Sequence, residues 1–372
     1  MTSTVNLATF RGVEEDLFAL TAFLVDQPSE SFHESALADW IEQQLEPFDH
    51  LVVTRIGDNV VARTELGRDR RVILAGHTDT VPANNNGSAR IEGKVLHGLG
   101  AVDMKGGLAV MLAVAVTVPE PVHDLTFVFY AREEVARAHS GLGELIELAP
   151  ELVAGDCAVL GEPTGAVIEA GCQGALRFEV ALAGQRAHTA RPWMGVNAVH
   201  RLGPILEKLA QWPARQPTID GCTYHESLQA VAIEGGVSGN VVPDAAMVRV
   251  HHRFAPDRDL AAAETFVRDF VAEHLEDGDQ VTVVDAAASC PPDLSHPLIA
   301  QLVADNQLAV RAKLGWTDVA RFAELGIPAV NFGPGDPTMA HTKDEHVHAS
   351  EISRCYDALV SLVADAGGVV GS

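Results

Sequence analysis

The chain has 372 residues, of which 47% are hydrophobic and 21% are charged, the composition of an ordinary globular protein. This length is sufficient for two domains, each with its own core. The 26 basic and 51 acidic side chains give a formal net charge of −25, which argues against nucleic-acid partners and anionic membrane surfaces.

Cysteine usage, the N-terminal residues and the length of the apolar runs indicate the cellular compartment. The five cysteines are scattered and form no C-x-x-C motif; they are Cys157, Cys172, Cys222, Cys290 and Cys355. This pattern favours reduced thiols over a disulfide framework or a cysteine zinc site. Residues 1–16 lack a signal-peptide pattern, and the longest uncharged apolar run, 108–118, is too short to span a bilayer. We therefore expect a cytoplasmic protein without a membrane partner.

The first part of the chain predicts alternating helices and strands. Apolar residues at helical spacing predict helices over 13–25, 35–45 and 106–117, and residues 51–62 are typical of a strand. Four continuous apolar runs predict strands buried on both faces: 71–75, 125–130, 157–160 and 328–332. The fold class predicted is therefore α/β, with a helix-covered, largely parallel sheet.

The middle third has a different pattern, typical of an α+β unit with two layers. Strands that alternate between apolar and polar residues are predicted over 174–183, 227–233 and 247–254, and helices over 197–211 and 260–274. We place the domain boundaries near Gly174 and near 289–292, where proline and small residues cluster. The first domain then comprises residues 1–174 plus 290–372, and the inserted domain comprises 175–289.

Five side chains able to bind metals follow strand-like runs: His77, Asp103, Glu134, Glu162 and His341. In open α/β sheets, ligands bind beyond the carboxyl ends of the strands. Two histidines and three carboxylates suit two zinc ions or similar first-row metals. Each position alone has an ordinary alternative, since Asp103 is also a suitable helix N-cap and His77 a suitable turn residue. The convergence of several strand ends on compatible ligands favours a metal site.

Carboxylates next to these ligands suggest supporting and catalytic roles. Asp79 is placed to accept the second ring N–H of His77, as metal-bound histidines require. Glu133 and Glu134 are adjacent, and adjacent side chains of an extended chain point in opposite directions. We expect Glu134 to face a metal and Glu133 to act as the general base toward a metal-activated water. The alternative is a solvated acidic turn.

The motifs together resemble a known family, the co-catalytic dizinc aminoacylases and carboxypeptidases. They are G-H-T-D-T-V-P at 76–82, D-M-K-G-G at 103–107, R-E-E at 132–134, G-E-P-T at 161–164 and A-H-x-x-D-E at 340–345. The resemblance runs through nearly the whole chain. It implies a zinc-binding catalytic domain (1–174 plus 290–372), a lid and dimerisation domain (175–289), a homodimer, and two Zn²⁺ per subunit that Co²⁺ can replace.

The resemblance also implies roles for individual residues. His77 and Glu162 would bind one zinc, Glu134 and His341 the other, with Asp103 as the bridge and Glu133 as the acid/base. A cis peptide bond is expected between Asp103 and Met104.

Further roles are implied in the inserted domain. His188 would reach across the dimer and polarise the scissile carbonyl, with Asn240 close to the same region. Arg253 matches the family's carboxylate-binding arginine, for which a bidentate pair is the expected geometry. Thr317 is a further substrate contact. The ordinary alternatives are a loop histidine at 188 and a solvated strand arginine at 253.

The implied reaction is hydrolysis of N-succinyl-LL-2,6-diaminopimelate to succinate and LL-2,6-diaminopimelate. Relatives with this activity differ from this chain at three places. They carry an arginine pair in place of Cys172-Gln173, an aromatic residue in place of Arg191 and an asparagine in place of Pro337. Arg177 and Arg191 are candidates for the positive charge that the arginine pair would supply. An acetylornithine deacetylase or a dipeptidase is the alternative, because the zinc ligands do not discriminate among these substrates.

Two other classes are disfavoured. A non-catalytic binding protein would not be expected to keep all five ligands and Glu133. A nucleotide-binding α/β protein would be expected to carry a P-loop or a G-x-G-x-x-G after a strand, and the sequence has neither.

Overall fold

The computed structural model describes residues 5–364, which form two compact units. Of the described residues, the first unit covers 5–170, 293–311 and 321–364, and the second covers 171–292 and 312–320. The chain therefore changes unit between residues 170 and 171 and between 292 and 293, whereas the sequence pattern placed the boundaries at 174/175 and 289/290. Residues 312–320, for which the local sequence carries no such signal, group with the second unit.

The bounds of the elements are as follows. The α-helices are α1 (Glu14–Val25), α2 (Ser35–Leu45), α3 (Gly106–Thr117), α4 (Gly141–Leu148), α5 (Ala198–Ala210), α6 (Leu260–Ala272), α7 (Pro297–Asp305), α8 (Val319–Glu324) and α9 (Ala349–Val363). The strands are β1 (Val52–Ile56), β2 (Asn59–Arg63), β3 (Arg71–His77), β4 (Arg90–Glu92), β5 (Val95–His97), β6 (Asp124–Tyr130), β7 (Cys157–Leu160), β8 (Ile168–Ala170), β9 (Gly174–Ala183), β10 (Ala187–His188), β11 (Thr218–Ile219), β12 (Cys222–Thr223), β13 (Ser227–Gly235), β14 (Val241–Val242), β15 (Ala245–Phe254), β16 (Gln280–Ala287), β17 (Val310–Ala312), β18 (Ala329–Asn331) and β19 (His346–His348). No helix in this part of the chain is both long enough and apolar enough to cross a bilayer.

The large sheet has the strand order β1-β2-β6-β3-β7-β18-β8-β17. Its centre is parallel, since β3 pairs in parallel with β6 and β7, and β7 with β18. Every residue of β6 is buried, as expected for an apolar strand covered on both faces. The four predicted buried strands are these central strands, and the predicted α/β class is confirmed.

The predicted strand over residues 51–62 is instead the β-hairpin of β1 and β2, with Ile56 paired to Asn59. The two-residue turn is possible because Gly57 adopts φ 58°, a conformation that favours glycine. The sequence pattern did not reveal this turn because β-branched residues, which favour strands, are frequent on both sides of it.

Helices of the first unit pack on one another and on the sheet. Helix α3 contacts α1, α9 and strands β3 and β6, and its residues 106–115 are all buried. A helix that is apolar on every side is stable only in such an environment. A small sheet of order β19-β5-β4 lies in the same unit.

The second unit is an antiparallel sheet of order β13-β15-β9-β16 with helices α5 and α6 packed on it. Along β15, buried residues alternate with more exposed ones, and its inward side chains join a core that includes Phe178, Val248 and Val267. This confirms the predicted two-layer α+β pattern, and α5 and α6 are the two predicted helices. The functional labels of lid and dimerisation domain stay predictions.

Candidate metal centre

The predicted metal ligands all lie in the first unit, next to the carboxyl ends of the parallel strands. Strand β3 ends at His77, which is in register with Tyr130 at the end of β6. Glu133 and Glu134 follow β6, and Glu162 follows β7, which is the neighbour of β3 on its other side. Parallel pairing thus brings three chain segments that are distant in sequence to one edge of the sheet.

Two clusters of three potential ligands share Asp103. Ligand atoms of His77, Asp103 and Glu162 lie within 4.8 Å of one another, as do those of Asp103, Glu134 and His341. Asp103 Oδ1 is 3.0 Å from His77 Nε2, whereas Asp103 Oδ2 is 3.3 Å from His341 Nε2. His341 Nε2 is also 2.8 Å from Glu134 Oε1. One oxygen of Asp103 is therefore directed to each histidine, which is the arrangement that a bridging carboxylate requires.

The carboxylates of the clusters make the surroundings of both histidines favourable for positive charge. Burial opposes protonation of His77, but hydrogen bonds with Asp103 and Asp79 prevail and raise its pKa well above the ordinary value. Hydrogen bonds with Asp103 and Glu134 raise the pKa of His341 to about 10. Burial alone would raise the pKa of Asp103, but the two histidines hold it well below its usual range. This donor set of two imidazoles and three carboxylates fits two divalent cations of the zinc type.

Asp79 supports both His77 and the glutamate pair. His77 Nδ1 is 3.0 Å from the backbone oxygen of Asp79 and 3.5 Å from its Oδ1, so the carbonyl is the nearer acceptor. The carboxylate of Asp79 accepts the backbone N–H groups of Glu133 at 2.9 Å and Glu134 at 3.1 Å. It also accepts the hydroxyl of Ser31 at 2.8 Å. Asp79 thus connects a ligand histidine to the turn that carries the acidic pair.

Both members of the glutamate pair reach the cluster. His77, Glu133 and Glu134 have ligand atoms within 4.8 Å of one another, so the two carboxylates do not face opposite sides as an extended chain would place them. The reason is that β6 ends at Tyr130 and Arg132 adopts φ 61°, which takes the chain out of the extended conformation.

The segment that carries Asp103 is irregular. The peptide bond between Asp103 and Met104 is cis, as the family resemblance implied. The segment packs closely against the end of β7: a Cβ atom on Gly107 would overlap the carbonyl oxygen of Gly161. The absence of a side chain at Gly107 therefore allows Asp103 and Glu162 to approach one another.

Sequence reasoning missed two supporting residues. Glu345 Oε1 accepts the backbone N–H groups of Val102 at 2.9 Å and Asp103 at 3.1 Å. Burial raises the pKa of the Glu345 carboxyl to about 7. Glu345 belongs to the A-H-x-x-D-E motif, which marks it as a candidate for a role in the site. The sequence does not show that its carboxylate binds the backbone of Val102 and Asp103. For Ser31 the sequence carries no comparable signal.

The remaining predicted site residues belong to the second unit. His188 in β10 pairs with Val241 in β14, and its Nδ1 accepts the N–H of Ala190 at 3.0 Å. The N–H of Thr189 donates to the backbone oxygen of Asn240 at 3.1 Å, so the segments of His188 and Asn240 are joined. Arg191 is exposed and donates its N–H to the His188 carbonyl at 2.8 Å.

Arg253 in β15 and Arg177 in β9 form a basic region of the same sheet. Burial lowers the pKa of Arg253, and the nearby charge of Arg177 lowers it further. Arg177 Nη2 is 3.2 Å from Asp285 Oδ2. Thr317 is buried, and its carbonyl lies 3.8 Å from Cys172 Sγ. Pairing with Asp285 partly compensates the positive charge that the sequence assigned to this region.

The sequence signature of the peptidase family M20/M25/M40 matches residues 73–365 of the chain. The chain belongs to this family. The resemblance inferred from the motifs is thereby confirmed, together with the expectation of a hydrolase. Proteins of this family depend on metal ions, in agreement with the clusters of ligands around Asp103.

Relatives at high identity cover nearly the whole of this M20-family chain. A Mycobacterium tuberculosis protein provisionally named succinyl-diaminopimelate desuccinylase DapE is 51% identical over 345 residues, which are 92% of this chain and 97% of that protein. The succinyl-diaminopimelate desuccinylase of Corynebacterium glutamicum is 46% identical over 344 residues, which are 91% and 93% of the two chains.

Solved structures of more distant proteins share the fold. A tripeptidase from Staphylococcus aureus superimposes with a TM-score of 0.77 at 20% identity, covering 94% of this chain and 98% of that one. The YXEP protein of Bacillus subtilis, described as a dinuclear metal-binding M20 peptidase, gives a TM-score of 0.67 at 17% identity, with coverage of 94% and 97%. At these identities the likeness concerns the fold alone.

Proposed function

We propose that this M20-family protein hydrolyses N-succinyl-LL-2,6-diaminopimelate to succinate and LL-2,6-diaminopimelate, in the biosynthesis of diaminopimelate and lysine. The observation that carries the proposal is the 51% identity over 92% of the chain to a relative named for this activity. The position of Asp103 between two groups of histidine and carboxylate ligands supports a metal-dependent hydrolysis.

We assign two Zn²⁺ ions to the centre, with Co²⁺ as an expected substitute. His77 and Glu162 would hold one ion, Glu134 and His341 the other, and Asp103 would contribute one oxygen to each. This assignment rests on the two clusters that meet at Asp103. When bound, such ions lower the pKa of water toward about 7 and withdraw electron density from a substrate carbonyl.

In the proposed mechanism Glu133 is the acid/base. It accepts a proton from the water that attacks the amide carbon, so that a C–O bond forms. It then donates that proton to the leaving nitrogen as the C–N bond breaks. Asp79 keeps Glu133 in place through the backbone N–H of that residue. Glu133 also lies close to His77 and Glu134, as a base for a metal-activated water must.

Substrate recognition is assigned to the second unit. We propose that Arg253 binds a substrate carboxylate in a bidentate manner and that Arg177 and Arg191 recognise the succinyl carboxylate. Arg177 already forms an ion pair with Asp285, so the succinyl carboxylate would share this guanidinium with Asp285 or replace it. Asn240 and Thr317 would contact the substrate, and His188 would polarise the scissile carbonyl in the neighbouring subunit of a dimer.

A homodimer through the second unit is supported by the character of β13. This edge strand of the four-stranded sheet exposes Val231 and Ile233 to 53% and 54%. A long apolar edge strand promotes pairing with another chain, and natural proteins usually cover such edges. A second copy of the same chain, paired along β13, would cover this exposed edge, and the two β13 strands would be related by symmetry.

The proposed function is tested by steady-state kinetics of the zinc-loaded protein on N-succinyl-LL-2,6-diaminopimelate and on N-acetylornithine, with the Glu133→Gln variant as the background control. A kcat/KM at least about 100-fold higher for the succinyl substrate, equivalent to about 2.7 kcal/mol, is expected. Preference for the acetyl compound would contradict the substrate assignment, but it would remain consistent with the metal-dependent mechanism. Activity on neither would overturn the proposed reaction.

A further inference from the structure

The turn that carries the proposed acid/base has an unusual set of hydrogen bonds. Residues 131–134 follow β6, and each of their four backbone N–H groups donates to a side-chain oxygen. Ala131 donates to Asn59 Oδ1 at 3.0 Å, Arg132 to Glu34 Oε1 at 3.1 Å, and Glu133 and Glu134 to the two oxygens of Asp79. The three acceptor residues are at most 1% exposed and come from three separate segments of the first unit.

Arg132 is the residue at which this turn needs most support. Its φ of 61° lies in the left-handed region, which residues with a side chain disfavour. Such conformations persist where the surrounding structure over-determines them. Glu34 binds the N–H of Arg132, and the guanidinium is held by the His139 carbonyl at 2.7 Å and by Glu144 at 2.8 Å. Because of this conformation, the chain after β6 bends so that Glu133 lies close to the metal ligands.

Glu34 is a buried carboxylate that also interacts with two local backbone N–H groups, those of Phe32 and of Glu34 itself. It stands at the N-cap position of α2, yet its side chain makes no capping hydrogen bond to that helix. It is completely buried, and a desolvated carboxylate is costly unless its interactions compensate. The hydrogen bond to the Arg132 N–H is the interaction that links it to the site.

We propose that Glu34 is a positioning residue for catalysis, acting through the Arg132 N–H to hold Glu133 at the metal ligands. This rests on the proposed role of Glu133 as acid/base. Glu34 itself touches neither substrate nor metal in this proposal. The role requires only that Oε1 is placed to accept the Arg132 N–H. A side chain of the same length with the same acceptor oxygen should therefore replace Glu34.

The test compares two conservative variants that separate charge from reach. Glu34→Gln keeps the length and the Oε1 acceptor but loses the charge, whereas Glu34→Asp keeps the charge and shortens the reach. We expect Glu34→Asp to lower kcat by about tenfold or more with little change in KM, because misplacement of a catalytic group by about 1 Å is sufficient for this. Glu34→Gln should keep most of kcat. Glu42→Ala, on the same helix and paired with Arg55, is the control and should behave as the unaltered protein.

A second readout does not depend on the substrate. Hydrogen exchange of the peptide that contains residues 131–134 should accelerate in Glu34→Asp and remain slow in Glu34→Gln and Glu42→Ala. Unchanged kcat and exchange in Glu34→Asp, or a larger loss in Glu34→Gln than in Glu34→Asp, would overturn the proposal. If the unaltered protein does not turn over the succinyl substrate, the proposed function fails, while the exchange pattern still decides whether Glu34 holds this turn.

Discussion

Glu345 accepts a hydrogen bond of 3.1 Å from the backbone N–H of Asp103, although the two residues are 242 positions apart in the sequence. The same carboxylate oxygen accepts the N–H of Val102 at 2.9 Å. Glu345 is 1% exposed and follows His341 by four residues. The segment of the proposed bridging ligand is therefore fastened to the segment of a second proposed ligand.

This relationship predicts that Glu345→Ala weakens metal binding. Loss of the acceptor would release the Asp103 segment, and removal of such outer hydrogen bonds typically lowers metal affinity by about 10–100-fold. Competition with a chromophoric chelator measures the zinc dissociation constants directly. Asp344→Ala alters the exposed neighbouring carboxylate and is the control. Equal affinities in all three proteins would show that Glu345 does not support the metal centre.

Glu133→Gln should keep both metal ions and lose nearly all turnover. The amide cannot accept the proton from the attacking water, and a general base typically contributes about 10²–10⁴-fold to the rate. Metal content by elemental analysis and kcat on N-succinyl-LL-2,6-diaminopimelate are the two measurements. In contrast, Glu134→Gln should lower the metal content, because Glu134 is assigned as a ligand. Wild-type turnover in Glu133→Gln would refute the assignment of the base.

Ile233→Glu should dissociate the proposed dimer. The substitution places a charge on the exposed edge strand β13, where pairing with a second copy would bury it. Light scattering coupled to size-exclusion chromatography gives the mass in solution. Val284→Glu is the matched control, since Val284 is 47% exposed on β16 at the opposite edge of the same sheet. A dimer that survives Ile233→Glu but dissociates with Val284→Glu would place the interface elsewhere.

His252 should make the second unit sensitive to acid. Burial, together with nearby positive charges that include Arg258, lowers the pKa of His252 to about 4. Its ring is 5.9 Å from that of Trp212, and its Nδ1 lies 3.0 Å from the Ser227 carbonyl. Between pH 6.5 and 4 the unfolded chain binds a proton at this position that the folded chain does not, so the contribution to stability is complete above pH 6.5 and decreases as the pH falls.

The expected size of this effect is about 1.4 kcal/mol per pH unit, or about 2 kcal/mol at pH 5. Urea unfolding followed by tryptophan fluorescence at pH 7.5 and pH 5 measures the difference. His252→Phe preserves an aromatic ring between Phe254 and Phe266 and removes the titrating group. The decrease in unfolding free energy between the two pH values should therefore shrink by about 2 kcal/mol in this variant. An unchanged decrease would argue against protonation of His252 as its cause.

Local patterns were sufficient for much of the fold. The continuous apolar runs that became β3, β6, β7 and β18 predicted buried parallel strands, because only a sheet covered on both faces accommodates them. The hairpin of β1 and β2 was missed since β-branched residues, which favour strands, lie on both sides of the turn at Gly57. The grouping of residues 312–320 with the second unit depends on contacts that no local pattern encodes.

The sequence by itself determined which side chains are available to a metal centre and at which strand ends they stand. His77, Glu134 and Glu162 follow apolar strands, and parallel pairing brings the ends of such strands together wherever the sheet forms. The tertiary structure decided how these residues are held: that Asp79 binds the N–H groups of the glutamate pair, that Glu34 supports Arg132, and that Glu345 binds the Asp103 segment. These hydrogen bonds join segments that are distant in the chain, so they depend on how the elements pack in three dimensions. The periodicity of neighbouring residues reports only local structure and therefore does not predict them.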